Sequence, residues 1–477
     1  MDESAAVNSQ IPTVITCPTQ PVAVATSGAP SGLVEKAGIE FVPHELRYGT
    51  PLRLFTIWFG GSLSILCLSV GTLGVLSGLP LTWTLVALVL GNAIGTVFMA
   101  AHSAQGPQLG IPQMIQSRAQ FGVIGAGLPL LAVVAATTLY SAADGVLIRG
   151  LVRMVLPVSD DIAICLFGAM SVLVAFIGYE LIHRIAMALS LLSGLMFLAT
   201  AALAHGAMHD AVPASTHIDA FTAGTFILVV TQATAWSLSS APYVADYSRY
   251  LPANVSPWRT FWYTGAGNFC GSLLPQGIGA YLAAVRPDFV ADFGSGIASL
   301  FGVARYAVAL LIIVNLIQVN VMNLYSAYMS TTTTLTGLRG MTRVSLRYKL
   351  TVMSLLMTAS TGIAIATKHN FNALFSDFLV MLMYVLVPWS AINLADYYFV
   401  CRGQYSVQHL FMKDGAYGAY RWKTLSVYLV SILAQLPFMR LSFYSGVVAS
   451  RLGADLSWMP GLIIPATLYV CVERRRI

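Results

Sequence analysis

The sequence is poor in charged residues. Asp, Glu, Lys and Arg together make up 9% of its 477 residues, whereas hydrophobic residues make up 57%. A soluble domain needs a much larger share of charged residues on its surface, so this composition excludes a soluble globular protein and predicts an all-α polytopic membrane protein. The formal net charge of +6 comes from basic residues in short segments between apolar runs, so nucleic acid is not an expected partner.

Motifs of disulfide, zinc and nucleotide chemistry are also missing. The six cysteines are scattered and contain no CxxC pair, so neither a disulfide framework nor a zinc site is expected. No GxxxxGK[ST] loop occurs, which disfavours a nucleotide-driven pump. Polar residues inside the apolar runs are mostly amides, so we expect no enzyme activity and no cofactor. For the polar segment with His205, His209 and His217, a solvated loop is favoured over a metal site.

Twelve apolar runs are long enough to cross a bilayer as helices, because about 20 residues at a rise of about 1.5 Å each span its hydrocarbon core. With the N-terminus inside, most of the 25 Lys and Arg residues fall on the cytoplasmic side. We therefore predict a multi-pass protein of the plasma or inner membrane, with both termini in the cytoplasm and the lipid bilayer as its surroundings. The runs are residues 54–79, 83–104, 124–148, 162–181, 185–207, 220–245, 261–284, 304–332, 348–366, 373–398, 424–442 and 458–472.

Two of these runs contain residues that interrupt a helix. The first run carries GGSLS at Gly60–Ser64, and the sixth leads into WSLSSAPYVADYSRYLP at Trp236–Pro252. Glycines, serines and Pro242 weaken the helical hydrogen bonding, which a membrane tolerates only inside protein or beside a wet cavity. Breaks in the first helix of each of two five-helix halves predict a transporter with inverted repeats and a site at mid-membrane. Close packing through small residues is the alternative for the first run, and a plain proline kink for the sixth.

Five motifs resemble the nucleobase:cation symporter-1 family, the purine and cytosine permeases. Each motif is weak alone, but all five occur in register between about Gly38 and the C-terminus. They are GPQLGIPQMIQSRAQFG (Gly106–Gly122), APYVADYSRYLP (Ala241–Pro252), NVMNLYS (Asn320–Ser326), PWSAINLADYYFVCRGQY (Pro388–Tyr405) and GADLSWMPGL (Gly453–Leu462).

The resemblance implies the leucine-transporter fold with 12 transmembrane helices. The transporter domain would be residues 51–472, following a mostly disordered cytoplasmic tail at residues 1–50 and preceding a basic cytoplasmic C-terminus at residues 473–477. Within the domain, the resemblance implies a first repeat at residues 52–210, an inverted second repeat at 218–400 and two peripheral helices at 420–472.

The resemblance further implies a secondary active transporter, not an enzyme. Such a carrier imports a nucleobase of the cytosine or purine type together with Na⁺ or H⁺ by alternating access. Allantoin, a hydantoin or a thiamine-related pyrimidine is the alternative substrate. A channel is disfavoured because neither rings of charge nor repeated filter loops are visible in the sequence. The particular base, the coupling ion and the oligomeric state are left open.

A flat, uncharged heterocycle needs an aromatic face and a few amides or hydroxyls. Asn320 and Asn323 are three residues apart and are expected to share a helix face, and Tyr140 and Asp144 lie one turn apart. The alternatives are a lipid-facing or packing role for Trp236, links between helices for the asparagines, and an ion pair with Arg149 for Asp144. The substrate-binding residues implied by the resemblance are Trp236, Ser237, Ser239, Ser240, Asn320, Asn323, Tyr140 and Asp144.

The coupling ion has two candidate sites. The resemblance places Na⁺ near the break in the first run and oxygens of the eighth run, here Gly61, Ser64, Asn315 and Gln318. The hydroxyl pair that relatives carry on the eighth run is missing, so H⁺ coupling through an acid within a span remains an equal alternative. Residues at the ends of the sixth and tenth runs are expected to serve gating or anchoring, with a structural role as the alternative, and these are Asp246, Arg249 and Asp396.

Overall fold

The computed structural model describes residues 40–177, 179–206, 221–287, 289, 292–339 and 345–473. His209, His217 and most of the predicted tail lie outside the described residues. Within them the chain is helical and contains no β-strand. The helices are α1 (Leu52–Ser62), α2 (Ile65–Leu76), α3 (Leu81–Ala101), α4 (Gln105–Leu109), α5 (Gln113–Phe121), α6 (Gly127–Val155), α7 (Asp160–Ile177), α8 (Tyr179–Gly206), α9 (Ala223–Leu238), α10 (Val244–Ser248), α11 (Pro257–Val285), α12 (Phe293–Leu300), α13 (Arg305–Arg339), α14 (Leu346–Thr367), α15 (Phe371–Ala395), α16 (Trp422–Gln435), α17 (Val447–Leu452) and α18 (Trp458–Glu473).

Each predicted apolar run coincides with one of these helices or with a broken pair of them. By length and hydropathy, six of the described helices are able to cross a membrane, and the bent pair α1–α2 makes a seventh. The other helices are not in this set, and α16, for example, stops at Gln435, where a 3-10 turn containing Pro437 follows. The count of 12 spans and the inverted repeat therefore stay predictions.

The break predicted in the first run is confirmed. Helices α1 and α2 meet at an angle of 62°. The side chain of Ser64 caps α2, because its Oγ accepts a hydrogen bond from Cys67 N at 3.1 Å. A Cβ at Gly60 would lie 1.7 Å from Ser190 Oγ. Gly60 therefore has a second role in addition to weakening the helix: its missing side chain allows α1 to pack closely against α8.

The break predicted in the sixth run is confirmed as well. Helix α9 ends at Leu238, a 3-10 turn covers Ala241–Tyr243, and α10 begins at Val244. Pro242 has no N–H and cannot continue the helical ladder. Ser239 Oγ donates to the Trp236 carbonyl at 2.7 Å and satisfies one of the freed acceptors.

The broken helices lie between two groups of neighbours. Helix α11 packs against α1, α2 and α3, and α3 packs along α9. The contact between α3 and α9 is close, since a Cβ at Gly95 would lie 2.4 Å from the Thr234 carbonyl oxygen. Across the breaks, α13 packs along α6. Helix α6 also contacts α2, and α13 also contacts α8. The two breaks thus face α6 and α13.

Residues 40–50, which the sequence assigned to a disordered tail, are packed against the helices. We call the face at which α1 begins the proximal face and the opposite face the distal face. On the proximal face, Val42 N donates to Gly110 O at 2.8 Å and Tyr48 N donates to Tyr250 O at 2.7 Å. The buried Arg47 donates to the carbonyl of Pro107 at 2.6 Å. The predicted disorder therefore does not extend to this segment.

Candidate substrate site

A cavity of about 60 Å³ lies between the two helix breaks, and we call it the central cavity. Its wall combines aromatic rings with hydroxyls, one amide and small residues. This is the composition that suits a flat ring with hydrogen-bonding edges. The lining residues are Trp58, Gly61, Ser62 and Leu66 from α1–α2, Tyr140 from α6, Trp236, Ser239, Ser240 and Tyr243 from the α9–α10 segment, and Val319, Met322 and Asn323 from α13.

Trp236 is held in a fixed orientation at this cavity. Its Nε1 donates to Ser272 Oγ of α11 at 3.2 Å. The ring of Tyr140 stands edge-on to the indole, with centroids 5.8 Å apart and an interplanar angle of 89°. A T-shaped contact occupies at most one face of the indole, and Trp236 lines the cavity, so it is suited to stack on a ligand.

Aromatic contacts flank the cavity on both sides. Toward the proximal face, Trp58 stacks on Tyr243 with centroids 6.0 Å apart. Toward the distal face, the ring of Tyr140 contacts that of Phe378 of α15, with centroids 4.9 Å apart. The series continues along α15 through Phe375 to Phe371, with centroid distances of 6.2 and 5.2 Å.

The aromatic series ends at a second cavity, of about 350 Å³, on the distal side. This distal cavity is lined by Phe371 and by charged residues that include Arg149, Lys368 and Asp292. Arg149 Nε lies 3.8 Å from Asp160 Oδ2, and Arg149 Nη1 donates to the Lys368 carbonyl at 2.8 Å. Among the described residues Arg149 therefore pairs with Asp160, and the alternative of an ion pair between Arg149 and Asp144 is not found.

Asp144 lies behind the central cavity and does not line it. The residue is fully buried, and its Oδ2 accepts from Asn323 Nδ2 at 3.4 Å. Its Oδ1 has no hydrogen-bond partner among the described residues. Asn323, by contrast, does line the cavity. Asp144 thus reaches the cavity through the amide of Asn323.

Two predicted substrate residues are not brought to the cavity. Asn320 donates to Ser171 Oγ of α7 at 2.9 Å. Three helical residues turn about 300°, so Asn320 and Asn323 point about 60° apart, and only Asn323 meets the cavity. Ser237 donates to Asn92 Oδ1 of α3 at 3.0 Å and also faces away. Both residues connect helices, which is the alternative that the sequence had left open for the asparagines.

The predicted cation residues lie near the α1–α2 break but are not drawn into one cluster. Gly61 lines the central cavity, whereas Ser64 uses its hydroxyl to cap α2. Asn315 donates to Ser193 Oγ of α8 at 3.1 Å. The buried Gln318 Oε1 has no hydrogen-bond partner among the described residues.

The gating and anchoring residues join a buried set of polar side chains near the proximal face. Asp246 Oδ1 accepts from Gln113 N at 2.8 Å, and Arg249 Nη1 donates to the Glu40 carbonyl at 3.1 Å. Asp396 accepts from Gln120, Tyr405 and Tyr469 at distances of 2.6, 2.8 and 2.8 Å. These bonds tie α5 and α18 to the ends of α10 and α15.

Several residues of the site were missed by the sequence analysis. Trp58 and Tyr243 line the cavity, Ser272 of α11 holds Trp236, and Ser193 of α8 accepts from Asn315. The signal for the serines is a single hydroxyl in an apolar run, which is too common in membrane helices to single them out. Trp58 precedes the glycine pair by two residues, and this closeness to the break is the sequence feature that could have identified it as a site residue.

The family match covers most of the chain. A model described as permease for cytosine/purines, uracil, thiamine, allantoin matches residues 41–461. The chain is 40% identical over 446 residues to YxlA of Bacillus subtilis, which is named as a purine-cytosine permease, and the alignment covers 93% of this chain and 97% of YxlA. The purine-cytosine permease FCY2 of Saccharomyces cerevisiae is 24% identical over 391 residues, covering 77% of this chain and 72% of FCY2.

Solved structures share the fold at low sequence identity. Mhp1, a nucleobase-cation-symport-1 family transporter in a closed conformation with bromovinylhydantoin bound, matches with a TM-score of 0.73 and 17% identity, covering 93% of this chain and 96% of that chain. The inward facing conformation of Mhp1 gives a TM-score of 0.72, also at 17% identity, and covers 93% of this chain and 94% of that chain. This similarity shows the leucine-transporter fold. Together with the family match and the 40% identity, it establishes that the chain belongs to the nucleobase:cation symporter-1 family of purine and cytosine permeases, which are membrane transporters and not enzymes.

Proposed function

We propose that this protein is a secondary active transporter that imports a nucleobase of the cytosine or purine type together with a cation. The observation that carries the proposal is the central cavity between two broken helices, which is lined by the indole of Trp236 and the amide of Asn323. Half-helix ends and opened backbone at mid-membrane are the usual setting of a substrate site in such carriers. A neutral base needs stacking and hydrogen bonds, and this cavity supplies both.

In the proposed binding mode the base stacks on Trp236. Ser239, Ser240 and Asn323 then face its edges, and Tyr140 bounds the site on the α6 side. Ser237 and Asn320 act indirectly, because their bonds hold α9 to α3 and α13 to α7. Asp144 acts through Asn323.

We further propose alternating access through the two aromatic contacts that flank the cavity. Separation of Trp58 from Tyr243 opens the proximal side, and separation of Tyr140 from Phe378 opens the distal side. The proposed topology has 12 spans in a 5+5 inverted repeat plus two peripheral helices, with both termini in the cytoplasm. The proximal face is then cytoplasmic, and Asp246, Arg249 and Asp396 anchor its helix ends.

Cation coupling is part of the proposal, and two arrangements fit the chain. Na⁺ would use oxygens near Gly61 and Ser64 together with the amides of Asn315 and Gln318. The Oε1 atom of Gln318 is a buried oxygen of the hard type that Na⁺ prefers. H⁺ would use Asp144, an acid buried within a span. The two arrangements make opposite predictions for the ion dependence of uptake.

The test is uptake of radiolabelled cytosine, adenine, hypoxanthine, uracil and allantoin by cells that express the chain. We expect saturable uptake of a cytosine-type or purine-type base that stops when the coupling gradient is removed. Loss of uptake without Na⁺ supports the site near Gly61, and loss with a protonophore alone supports Asp144. Saturable uptake of allantoin alone moves the proposal to the alternative substrates, and uptake that no gradient drives contradicts symport.

A further inference from the structure

Hydrogen bonds from two neighbouring helices meet at the end of α9. Trp236 Nε1 donates to Ser272 Oγ of α11 at 3.2 Å, and the next residue, Ser237, donates to Asn92 Oδ1 of α3 at 3.0 Å. Asn92 Nδ2 in turn donates to Gln276 Oε1 of α11 at 2.5 Å. Ser272 and Gln276 lie about one turn apart on α11, so these five residues close a loop, which we call the polar ring.

The amide of Asn92 is fixed in one orientation within the polar ring. Asn92 is fully buried, and its Nδ2 donates both to Gln276 Oε1 and to the Leu88 carbonyl, the latter at 2.8 Å. Its Oδ1 accepts from Ser237 Oγ. An amide oxygen only accepts, so a turned amide would place Oδ1 against the Leu88 carbonyl, which is another buried acceptor. Asn92 therefore connects Ser237 to Gln276 in a single arrangement.

The same three helices have other links. A Cβ at Gly91 of α3 would lie 2.4 Å from the Val230 carbonyl oxygen of α9, and Thr234 Oγ1 donates to the Gly91 carbonyl at 3.0 Å. Helices α3 and α11 are also joined by Asn268 Nδ2, which donates to Thr96 Oγ1 at 2.8 Å. The polar ring is thus one of several links between these helices, and it is the one that includes Trp236.

The end of α9 benefits from such support because the helix stops soon after Trp236. Helix α9 ends at Leu238, and Pro242 has no N–H with which to continue the ladder. The last turn of a helix lacks a following turn to hold it, and helix ends fray. A ligand that stacks on a loosely held side chain must first order it, and this ordering lowers the affinity.

We propose that Asn92 and Gln276 are positioning residues for the base that stacks on Trp236. They hold the end of α9 against α11 at the level where Ser272 meets the indole, so the indole is ordered before the base arrives. Neither residue lines the central cavity. This inference rests on the proposed function and deepens it, because it names residues of α3 and α11 on which the affinity of the site depends.

The test measures the apparent KM and the maximal rate of base uptake in variants that open the polar ring. Gln276→Met keeps the length of the side chain and removes the oxygen to which Asn92 donates. We expect KM to rise about two- to tenfold, with the maximal rate per transporter preserved. A residue that only holds helices together would instead lower the melting temperature and the maximal rate and leave KM unchanged.

A double-mutant cycle measures whether the two sides of the polar ring act together. Ser237→Ala removes the bond that Asn92 accepts. Because both changes open the same ring, Gln276→Met combined with Ser237→Ala should raise KM no more than the larger of the two single effects. Two independent effects would multiply.

Thr96→Val is the matched control for a lost hydrogen bond between buried side chains. It removes the acceptor of Asn268, so it breaks a link between the same two helices, α3 and α11, outside the polar ring. We expect this variant to keep the KM of wild type. All variants are compared at equal amounts in the membrane, measured through a fluorescent fusion.

The outcomes separate this inference from the proposed function. Saturable uptake by Gln276→Met with the KM of wild type overturns the inference, as do effects that multiply in the double variant or an equal rise of KM in Thr96→Val. Where a variant does not transport, equilibrium binding of the labelled base to the purified protein replaces KM, and an unchanged affinity again overturns the inference. A wild type that takes up no nucleobase overturns the proposed function and this inference with it.

Discussion

The indole of Trp236 depends on a single serine of a neighbouring helix for its orientation. Ser272→Ala removes the acceptor that Nε1 uses at 3.2 Å, and leaves the rest of α11 unchanged. A lost hydrogen bond of this kind corresponds to about 0.5–1.5 kcal/mol, so we expect the apparent KM for the base to rise about two- to tenfold, with the maximal rate preserved. Initial-rate uptake over a range of substrate concentrations measures both quantities.

Ser272→Thr is the control, because it keeps the hydroxyl. This variant should retain a KM near that of wild type. A reduced maximal rate with unchanged KM in Ser272→Ala would contradict the role assigned to Ser272, since it would point to slower conformational change and not to weaker stacking.

The residues of the site were predictable where their chemistry was unusual for a membrane helix. Trp236 is an aromatic residue at a break, Tyr140 and Asn323 are an aromatic and an amide residue within unbroken helices, and all three line the cavity. Ser237 and Asn320 have the same chemistry, but their side chains turn toward α3 and α7. The sequence alone could not separate the residues that line the cavity from those that link helices. Which face of a helix meets the cavity depends on how the helices pack.

At the level of the helical elements, the α1–α2 break is held by contact with α8. Gly60→Ala would place a Cβ 1.7 Å from Ser190 Oγ and 2.7 Å from Ser190 Cβ. Overpacking of this kind costs about 1–3 kcal/mol, so we expect a lower melting temperature of the purified protein in detergent and reduced uptake. Replacing Ser190 with Gly in the same chain removes both atoms, and this double variant should recover most of the loss.

Gly362→Ala serves as the control for the glycine substitution. Gly362 lies in α14, and a Cβ there meets no atom within 4 Å. Alanine is the better helix former by about 1 kcal/mol, so this variant should melt at or above the wild-type temperature. Equal losses in Gly60→Ala and Gly362→Ala would contradict the role assigned to the contact with α8, because a Cβ at Gly362 meets no atom within 4 Å.

The two helix breaks could be predicted from sequence because glycine and proline act on the backbone locally. Pro242 ends a helical ladder in any surroundings. The ends of uninterrupted helices were less predictable: the apolar run at residues 424–442 continues past Gln435, where α16 ends. The polar residues near Asp396 were predicted only as an anchor, since their partners come from α5 and α18, which are far apart in sequence.

At the scale of the whole molecule, residues 40–50 connect the start of α1 to the rest of the proximal face. Val42 and Tyr48 bond to Gly110 and Tyr250, which follow α4 and α10. The composition of the first 50 residues predicts disorder, because the segment has no helical period. Its order comes from backbone bonds to segments that only the folded molecule brings near, and a local pattern does not contain that information.

The proposed topology assigns the proximal face to the cytoplasm and the distal face to the outside. We test it with single cysteines at exposed positions of the two faces, Val303→Cys before α13 and Asp414→Cys between α15 and α16. A maleimide that cannot cross membranes should label Val303→Cys in intact cells, because that residue would face the medium. It should label Asp414→Cys only after the cells are permeabilised. The unsubstituted chain measures any background from Cys165, Cys270 and Cys471, which are exposed on the helices.

The same experiment weighs the positive-inside argument against the alternative orientation. Arg402, Lys413 and Arg421 lie near Asp414, and such a cluster of basic residues in a short connection resists transfer across a membrane. Labelling of Asp414→Cys in intact cells, with Val303→Cys protected, would reverse the orientation of all the helices. The broken helices, the central cavity and its aromatic contacts would stay as they are. The contact between Trp58 and Tyr243 would then open toward the medium, and the contact between Tyr140 and Phe378 would open toward the cytoplasm.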